Sequence, residues 1–461
     1  MNYPEKVVVI GLDGAPPELV FQRWINELPT FKWLTDHGVW GELKSTIPSI
    51  TCPAWLSMVT GKDPGSLGIY GFRNRTHYDY KEMSFVDSSW IKEETLWDYL
   101  SKLGRRVVLL GVPPSYPPRP VNGYMVSCFL AGDTSTEYTF PKGFKPEVEA
   151  LSGGYILDVK DFRTDNKGPI LESVYQMTQR RLRLAKALLK RNNWDLFMLV
   201  EMGPDRIQHA FWRYFDEAHK RFCPNTEYQS TVLAYYKYLD REIGEILNLL
   251  DDRTTLLVVS DHGAKRMEGG ICINEWLVAN GYLRLFDYPK APTSFKDLKV
   301  DWRRTVAWGE SGFYGRLFLN VKGREPWGVI PRQDYERVRN EIAQGLEDIR
   351  DENGRRLKTK AFRPEEIYPE CSGIPPDLIV YFGDQYWRSI GSVGHGRLCL
   401  DENDTGPDYA NHSQYGIFLM YNNNLNGATR RAGLHIQDVA PTILRCIGVE
   451  VPPGMEGDIV N

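Results

Sequence analysis

The sequence lacks three patterns that would assign it to a class directly. None of its apolar runs approaches the roughly 20 residues that a membrane-spanning helix needs. Its net charge is only −4, and Lys and Arg are scattered, so no polyanion-binding face is indicated. The N-terminal residues lead straight into the short apolar run Val7–Ile10, which is unlike a signal peptide. We therefore expect a cytoplasmic protein without a membrane or nucleic-acid partner.

Cysteine is sparse and follows no pattern. The seven cysteines are odd in number and widely spaced, and no two form Cys-x-x-Cys; they are residues 52, 128, 223, 272, 371, 399 and 446. This spacing argues against a disulfide framework and against a structural zinc knot. A reducing compartment fits it best.

Short, β-branched apolar runs alternate with stretches of helical periodicity. Strands are predicted at 6–12, 106–112, 195–201, 254–260, 377–382 and 416–421. Helices are predicted at 53–60, 95–104, 170–191, 228–250, 333–347 and 436–448. Such alternation indicates an α/β fold, a doubly wound and mostly parallel sheet with helices on both faces.

Two stretches interrupt this alternation. Residues 113–168 are rich in Pro, Gly and Tyr, and residues 287–331 carry three Trp without a helical period. Each is predicted to be an inserted cap segment. The predicted division is an α/β core of 1–286 and 366–461, with an insertion at about 113–168, and an inserted cap or substrate region of 287–365.

Polar residues stand where several predicted strands end, which is where open parallel sheets bind ligands. They are Asp13, the pair Asp205 and His209, the pair Asp261 and His262, and His412 just before the last strand. Asp13 also suits a turn or helix cap, and the i, i+4 pair also arises by chance on a polar helix. A His beside an Asp at a strand end adds little packing or capping, so there the functional interpretation is favoured.

Thr51 lies in an apolar, Pro-punctuated segment before a helix predicted to begin at Pro53. Its hydroxyl is then expected at a helix N-terminus, where free N–H groups and the helix dipole favour an anionic phosphate. A helix-capping role explains the residue type as well.

These motifs together resemble the alkaline phosphatase superfamily, and within it the type I phosphodiesterase/nucleotide pyrophosphatase branch. The motifs that carry the resemblance are Asp13-Gly14, Thr51-x-Pro53, Val59-Thr60-Gly61 with Gly68-Ile69, Asp205-x-x-x-His209, Asp261-His262-Gly263, a late His, and the closing helix from Asp438 to Gly448. They span nearly the whole chain, with the two insertions covered least.

The resemblance implies two divalent metal ions, with zinc preferred and manganese as the alternative. One ion is implied on Asp13, Thr51, Asp261 and His262, and the other on Asp205, His209 and a third ligand. His412 is preferred to His395 as that ligand, because it precedes the strand that follows the ligand in the family. Thr51 is the implied nucleophile, since metal coordination lowers the pKa of a hydroxyl.

The implied activity is metal-dependent hydrolysis of a small phosphate ester or nucleotide through a phospho-threonine intermediate. Relatives acting on nucleotide diesters place an Asn shortly after the Gly-Ile pair, and that position is Phe72 here. A phosphomonoesterase or phosphomutase on the same core, or a non-catalytic metal-binding relative, stays open. The candidate substrate contacts are Phe72, Arg73, Asn74, Arg75 and Lys265. Aromatic residues of the second insertion either stack on a nucleobase or form a small core of their own; they are Trp302, Trp308, Phe313, Tyr314 and Trp327.

Overall fold

The computed structural model describes residues 6–80, 83–425 and 427–461. The strands are β1 Lys6–Leu12, β2 Val39–Lys44, β3 Arg73–Asn74, β4 Ser84–Phe85, β5 Val107–Leu110, β6 Gly123–Val126, β7 Thr139–Phe140, β8 Leu196–Glu201, β9 Thr254–Val259, β10 Gly263–Arg266, β11 Gly269–Cys272, β12 Ala307–Glu310, β13 Gly315–Leu319, β14 Lys360–Phe362, β15 Leu378–Tyr381, β16 Trp387–Ile390, β17 Cys399–Leu400, β18 Ala410–Ser413, β19 Tyr415–Tyr421, β20 Thr429–Arg430 and β21 Leu434–His435. The α-helices are α1 Pro29–His37, α2 Thr51–Thr60, α3 Pro64–Leu67, α4 Leu96–Lys102, α5 Lys145–Ser152, α6 Lys167–Leu189, α7 Gly203–Phe215, α8 Thr231–Leu247, α9 Ile273–Ala279, α10 Tyr335–Glu347, α11 Pro364–Ile367 and α12 Val439–Ile447. Within the described ranges, no helix combines the length and the apolar character needed to cross a membrane.

A ten-stranded mixed sheet forms the centre of the fold, in the order β20-β2-β19-β9-β1-β8-β5-β6-β7, with β21 beside β2. The strands β9, β1, β8, β5 and β6 run parallel, and β19 runs antiparallel between β9 and β2. Nearly every residue of β1, β8 and β9 is buried, as expected for strands covered on both faces. The predicted mostly parallel α/β sheet is confirmed.

A smaller antiparallel sheet, in the order β12-β13-β15-β14, lies outside the central sheet. It packs with α9 and α10 around a second hydrophobic cluster, separate from the main core, that includes Ile273, Leu317, Leu346 and Val380. This cluster draws on residues from Ile271 to Cys399, so it reaches beyond the predicted cap of 287–365. The division into domains stays a prediction.

Two sequence-based assignments are corrected. The strand predicted at 377–382 is β15, which pairs antiparallel with β13 in the smaller sheet and not with the central one. Part of the predicted insertion at 113–168 forms β6 and β7, which complete one edge of the central sheet. An apolar run indicates a buried strand, but it carries no information about which sheet the strand joins.

Candidate metal centre

Three neighbouring strands of the central sheet deliver acidic side chains to one place. Asp13 follows β1, Asp261 follows β9, and Asp205 lies in the first turn of α7, directly after β8. Because the order is β9-β1-β8, these three strand ends lie side by side. All three carboxylates are buried, with Asp13 and Asp261 fully so.

His412 reaches this place through a separate pairing. The antiparallel ladder of β10 and β18 sets Ala264 opposite His412, two residues after His262. The rings of His262 and His412 consequently stack, with centroids 3.8 Å apart. Ligand atoms of Asp205, His262 and His412 lie within 4.8 Å of one another, as do those of Asp13, Asp261 and His262.

The three buried histidines of the cluster share one hydrogen-bonding pattern. Nδ1 of His262 lies 2.9 Å from the Gly263 carbonyl, and Nδ1 of His412 lies 3.0 Å from the Ser49 carbonyl. A carbonyl oxygen only accepts, so each Nδ1 carries the proton and each Nε2 keeps its lone pair. His209 likewise uses Nδ1, which donates to Oδ1 of Asp408 at 2.6 Å. The pattern is the one that orients imidazole toward a metal through Nε2.

Five buried ligand atoms of the cluster have no hydrogen-bond partner among the described residues; they are Asp13 Oδ1, Asp261 Oδ2, and Nε2 of His209, His262 and His412. His209 Nε2 lies 3.1 Å from Asp205 Oδ1, but without the geometry of a hydrogen bond. An unsatisfied buried polar group costs about 1–3 kcal/mol of folding free energy. Five such groups in one place therefore indicate a site that binds a ligand or a metal ion. Carboxylate and imidazole donors without thiolate fit Zn²⁺ or Mn²⁺.

Each of the two fully buried carboxylates is held by one oxygen only. Trp55 Nε1 donates to Asp13 Oδ2 at 2.8 Å, and the Gly14 amide donates to Asp261 Oδ1 at 3.2 Å. The other oxygen of each has no hydrogen-bond partner among the described residues, and Nε2 of His262 lies 3.8 Å from that of Asp13 and 3.3 Å from that of Asp261. The carboxylates are therefore oriented in advance, with one ligand atom left free.

Burial sets the direction of the pKa shift at four of the six titratable side chains of the cluster, the exceptions being Asp205 and His209, where neighbouring opposite charges outweigh it. Burial, reinforced by the nearby Asp205 carboxylate, raises the pKa of Asp13 to about 7. Burial and then the Asp13 charge raise the pKa of Asp261 well above its usual value. Burial lowers the pKa of His262 to about 4, and burial with the neighbouring His262 lowers the pKa of His412. Neutral imidazoles beside carboxylates that repel one another are arranged for a cation.

Thr51 is the first residue of α2, so the helix begins two residues before the predicted Pro53. Ile50 is still extended, with φ −147° and ψ 142°, which ends the preceding segment sharply. The amides of Thr51 and Cys52 and the Thr51 hydroxyl make no hydrogen bond to the described residues. Thr51 therefore does not cap its helix, and its hydroxyl lines a cleft that also contains Asp205 and His412.

The cleft has a volume of about 370 Å³ and unusual walls. Five arginines line it, namely Arg73, Arg163, Arg206, Arg316 and Arg388, together with the aromatic residues Phe72, Phe85, Phe129, Phe162, Phe313 and Tyr314. Phe72 and Arg73, both sequence candidates for substrate contact, are thus in the wall beside Thr51. The cleft combines strong positive charge with aromatic surface.

The remaining substrate candidates have other contacts. Asn74 is buried, and its amide accepts from Tyr70 N at 2.7 Å and donates to Gly71 O at 2.9 Å, which fixes the loop. Lys265 does not line the cleft, since its Nζ donates to the Asp384 carbonyl at 2.8 Å. Arg75 pairs with Glu325 at 3.3 Å under the smaller sheet.

Asp408 is a residue of the centre that the sequence did not reveal. Its Oδ1 holds His209, and its Oδ2 accepts from Arg163 at 2.9 Å and from Arg388 at 2.6 Å. Asp408 is fully buried. Its place four residues before His412 was the only local signal, because Asp408 follows no predicted strand.

Two of the aromatic residues of the second insertion form a small core, which is one of the two predicted alternatives, and stacking on a nucleobase stays a prediction. Trp302 stacks on Tyr80 and meets Trp308 in the second hydrophobic cluster, so these form a core. Phe313 instead stacks on His412 with centroids 3.9 Å apart and lies under the Arg388 guanidinium. The inserted region therefore covers one face of the centre.

Residues 7–408 match the family described as type I phosphodiesterase / nucleotide pyrophosphatase. The chain belongs to this family. The resemblance inferred from the motifs is confirmed, and the family is one of hydrolases that act on phosphoric ester or phosphoanhydride bonds. The family is metal-dependent, in agreement with the bare carboxylate and imidazole atoms beside Thr51.

Individual relatives are distant. A GPI ethanolamine phosphate transferase 2 from Eremothecium gossypii is 20% identical over 261 residues, which are 56% of this chain but only 25% of that protein. The chain thus spans about a quarter of the length of this curated relative.

Two solved structures share the fold across nearly the whole chain. The phosphonoacetate hydrolase of Sinorhizobium meliloti 1021, in complex with phosphonoformate, has a TM-score of 0.63 and 16% identity, and covers 96% of each chain. An inactive Thr-to-Ala form of murine ectonucleotide pyrophosphatase / phosphodiesterase 5, in complex with AMP, has a TM-score of 0.56 and 13% identity, covering 97% of this chain and 96% of that one. At such identities the likeness shows the fold alone.

Proposed function

We propose that this protein hydrolyses a small phosphodiester or nucleotide anhydride through a phospho-Thr51 intermediate at a two-metal centre. The observation that carries the proposal is the set of five bare, buried ligand atoms gathered beside the unbonded Thr51 hydroxyl. Neither a structural cluster nor a helix cap accounts for both features, since each would satisfy its own polar atoms.

The proposed ligand sets follow the family motifs. One ion is assigned to Asp13, Thr51, Asp261 and His262, and the other to Asp205, His209 and His412. We expect Zn²⁺, with Mn²⁺ as the alternative, because the donors are oxygen and imidazole only. Bound there, divalent ions would lower the pKa of the Thr51 hydroxyl and offset phosphoryl charge.

The chain's own residues supply the other parts of the reaction. Thr51 Oγ attacks phosphorus, so that the Oγ–P bond forms, the ester bond to the departing group breaks, and the hydroxyl proton leaves to that group or to solvent. Water then cleaves the Oγ–P bond and restores Thr51. The free amides of Thr51 and Cys52 at the start of α2 are suited to hold a phosphoryl oxygen during both steps.

The binding of phosphate-like ligands by relatives supports a small-molecule substrate. The murine relative is described with AMP and the bacterial one with phosphonoformate. The inactivity of the Thr-to-Ala form of the murine protein agrees with a threonine nucleophile here. A cytoplasmic location stays a prediction.

Replacement of Thr51 tests the proposal. We expect Thr51→Ala to retain bound metal but to lose turnover of bis(p-nitrophenyl) phosphate by about 10³-fold or more, since removal of a nucleophile costs this much or more in other hydrolases. Metal content by mass spectrometry and kcat with defined Zn²⁺ or Mn²⁺ are the measurements. Full turnover by the metal-loaded variant would overturn the mechanism. A metal-loaded wild-type protein inactive on mono- and diesters alike would support the non-catalytic alternative.

A further inference from the structure

The arginines of the cleft are only partly neutralised by the protein. Asp205, which is assigned to the metal centre, is the one carboxylate among the described residues that line the cleft. Arg206 is paired, since its Nε and Nη2 donate to Asp158 at 2.8 and 2.7 Å. The single carboxylate of Asp408 accepts hydrogen bonds from both Arg163 and Arg388, and it also holds His209.

Arg73 and Arg316 have no ion-pair partner in residues 6–80, 83–425 and 427–461. Arg316 is only 6% exposed, and its Nη1 donates to the Arg73 carbonyl. Arg73 is half-buried, and its guanidinium lies 5.7 Å from the Phe85 ring. A buried guanidinium without a counter-charge is costly to keep, so Arg316 is a built anion contact.

Arg388 adds a third unsatisfied group to the same cleft. Its side chain is 6% exposed, and its Nε is buried without a hydrogen-bond partner among the described residues. Its Nη1 donates to Asp408, so the guanidinium is held in place while its Nε–H stays unsatisfied among the described residues. Together the three arginines offer more positive charge than a phosphodiester monoanion requires.

A second cavity of about 350 Å³ adjoins the cleft, because Arg73 and Ser311 line both. Aromatic side chains of Tyr80, Phe295 and Trp308 form part of its wall. A substrate whose phosphoryl group lies at Thr51 therefore has room for a further substituent past Arg73. Of the three arginines, Arg73 lines both the cleft and this cavity, whereas Arg316 and Arg388 line the cleft.

We propose that the substrate is a phosphate ester in which one ester substituent carries a second acidic group, a carboxylate or a further phosphate, bound by Arg73, Arg316 and Arg388. This inference rests on the proposed function, since it assumes that phosphorus is attacked at Thr51. The inference specifies that the substituent is negatively charged, which the metal centre alone does not determine. A guanidinium group is well suited to both, because its planar fork of N–H donors binds two oxygens of a carboxylate or phosphate at once.

A matched series of p-nitrophenyl phosphodiesters tests the proposal, with ethyl, carboxymethyl or 2-trimethylammonioethyl as the second substituent. We expect kcat/KM of the metal-loaded enzyme to be about tenfold or more higher for the carboxymethyl than for the ethyl ester, which is the gain of one charge-assisted contact. The cationic ester is expected to be the poorest. Equal rates for the ethyl and carboxymethyl esters, or a preference for the cationic one, would overturn the inference while leaving the proposed function intact.

The half-buried Arg73 is the variant of choice, because its guanidinium makes no hydrogen bond to any residue that the structure describes. Arg73→Met is expected to lower the carboxymethyl-to-ethyl ratio about tenfold, whereas Arg304→Met leaves it unchanged. Arg304 is an arginine of the inserted region whose side chain is 71% exposed. If Arg73→Met lowered the turnover of p-nitrophenyl phosphate as much as that of the carboxymethyl ester, the arginine would bind the scissile phosphate itself and the inference would be wrong.

Binding without turnover separates this inference from the proposed function. Calorimetric titration of metal-loaded Thr51→Ala protein is expected to give about tenfold tighter binding of the carboxymethyl than of the ethyl ester, and the difference is expected to disappear in the Thr51→Ala, Arg73→Met double variant. If wild-type protein hydrolysed none of the esters, the proposed function would fail, and equal binding in this titration would overturn the substrate inference as well.

Discussion

The two late histidines of the chain illustrate how a binding centre differs from a structural cluster. His395 lies beside Ser392 and Asp404, with its Nε2 at 2.9 Å from Ser392 Oγ, which in turn bonds Asp404 at 2.7 Å. Glu275 accepts the His395 amide at 2.7 Å. Among the described residues, no buried side-chain atom of these four lacks a partner.

The cluster around His412 has similar residue types, but several of its buried polar atoms have no hydrogen-bond partner among the described residues. Its histidines bind a carbonyl or carboxylate through Nδ1, while every Nε2 is buried and bare. A cluster whose polar atoms are all hydrogen-bonded gains no stability from a ligand. In a cluster with unsatisfied polar atoms, a ligand removes the free-energy penalty of each such atom. A binding centre is therefore recognised by its number of unsatisfied buried atoms and not by its residue types.

Exchange of the two histidines for alanine should break the comparison most clearly. We expect His412→Ala to lose one metal ion per chain and to lower turnover about 10³-fold, which corresponds to the several kcal/mol that a metal contributes to charge stabilisation. His395→Ala should keep its metal content and most of its activity. Elemental analysis and kcat measure both, and metal loss in His395→Ala alone would reverse the assignment.

A second pair of variants compares the carboxylates that support each histidine. Asp408→Asn weakens the hold on Nδ1 of His209, and loss of such a partner typically lowers metal affinity or activity 10–100-fold. Asp404→Asn, in the cluster of His395, is expected to leave metal affinity unchanged. Competition with a fluorescent zinc chelator gives the affinities, and equal losses in both variants would argue for a general folding defect.

The smallest expected effect on function is a pH dependence of stability, which is largest without metal. Burial lowers the pKa of His209, but Asp408 and Asp205 outweigh it and raise the value to about 9. A raised histidine pKa stabilises the fold fully below the unfolded value of about 6.5, and this stabilisation is lost as pH rises toward 9. It amounts to about 3 kcal/mol at most, at 1.36 kcal/mol per pK unit. His262 and His412 have lowered pKa values, so they change stability below about pH 6.5 instead.

Thermal melting of chelator-treated protein between pH 6.5 and 9 measures this effect. We expect Tm to fall by at most about 6–12 °C, because the loss of about 3 kcal/mol corresponds to about 2–4 °C per kcal/mol in large domains, and we expect the Tm of the metal-loaded protein to fall less. Asp408→Asn should flatten the slope, and Asp404→Asn should not. A Tm of the metal-free protein that rises over this range would contradict the protonation assigned to His209.

Local patterns predicted the parts of the centre that follow strands. β1 has the predicted bounds Lys6–Leu12, and Asp13 and Asp261 stand at strand ends because a polar residue ends each apolar run. The start of α2 was placed two residues late, since Pro53 is allowed throughout the first turn and does not mark its first residue.

The contacts made across the fold were not predictable in this way. Asp408, Arg388 and Phe313 reach the centre from loops and short strands with no periodic pattern of their own. Their partners lie far away in the sequence, as with Asp408 and His209, which are 199 residues apart. Only information on which distant segments of the chain lie together would have revealed these contacts.

The sequence by itself determined which short runs are buried strands, which residues end them, and the family to which the chain belongs, because these depend on neighbours in the chain. The tertiary structure decided the strand order β9-β1-β8 and the β10–β18 ladder, which bring Asp13, Asp261, Asp205 and His412 together. It also decided which polar atoms stay bare and which arginines lack a counter-charge. Those properties depend on the groups that distant segments place against each side chain, and no residue type specifies them alone.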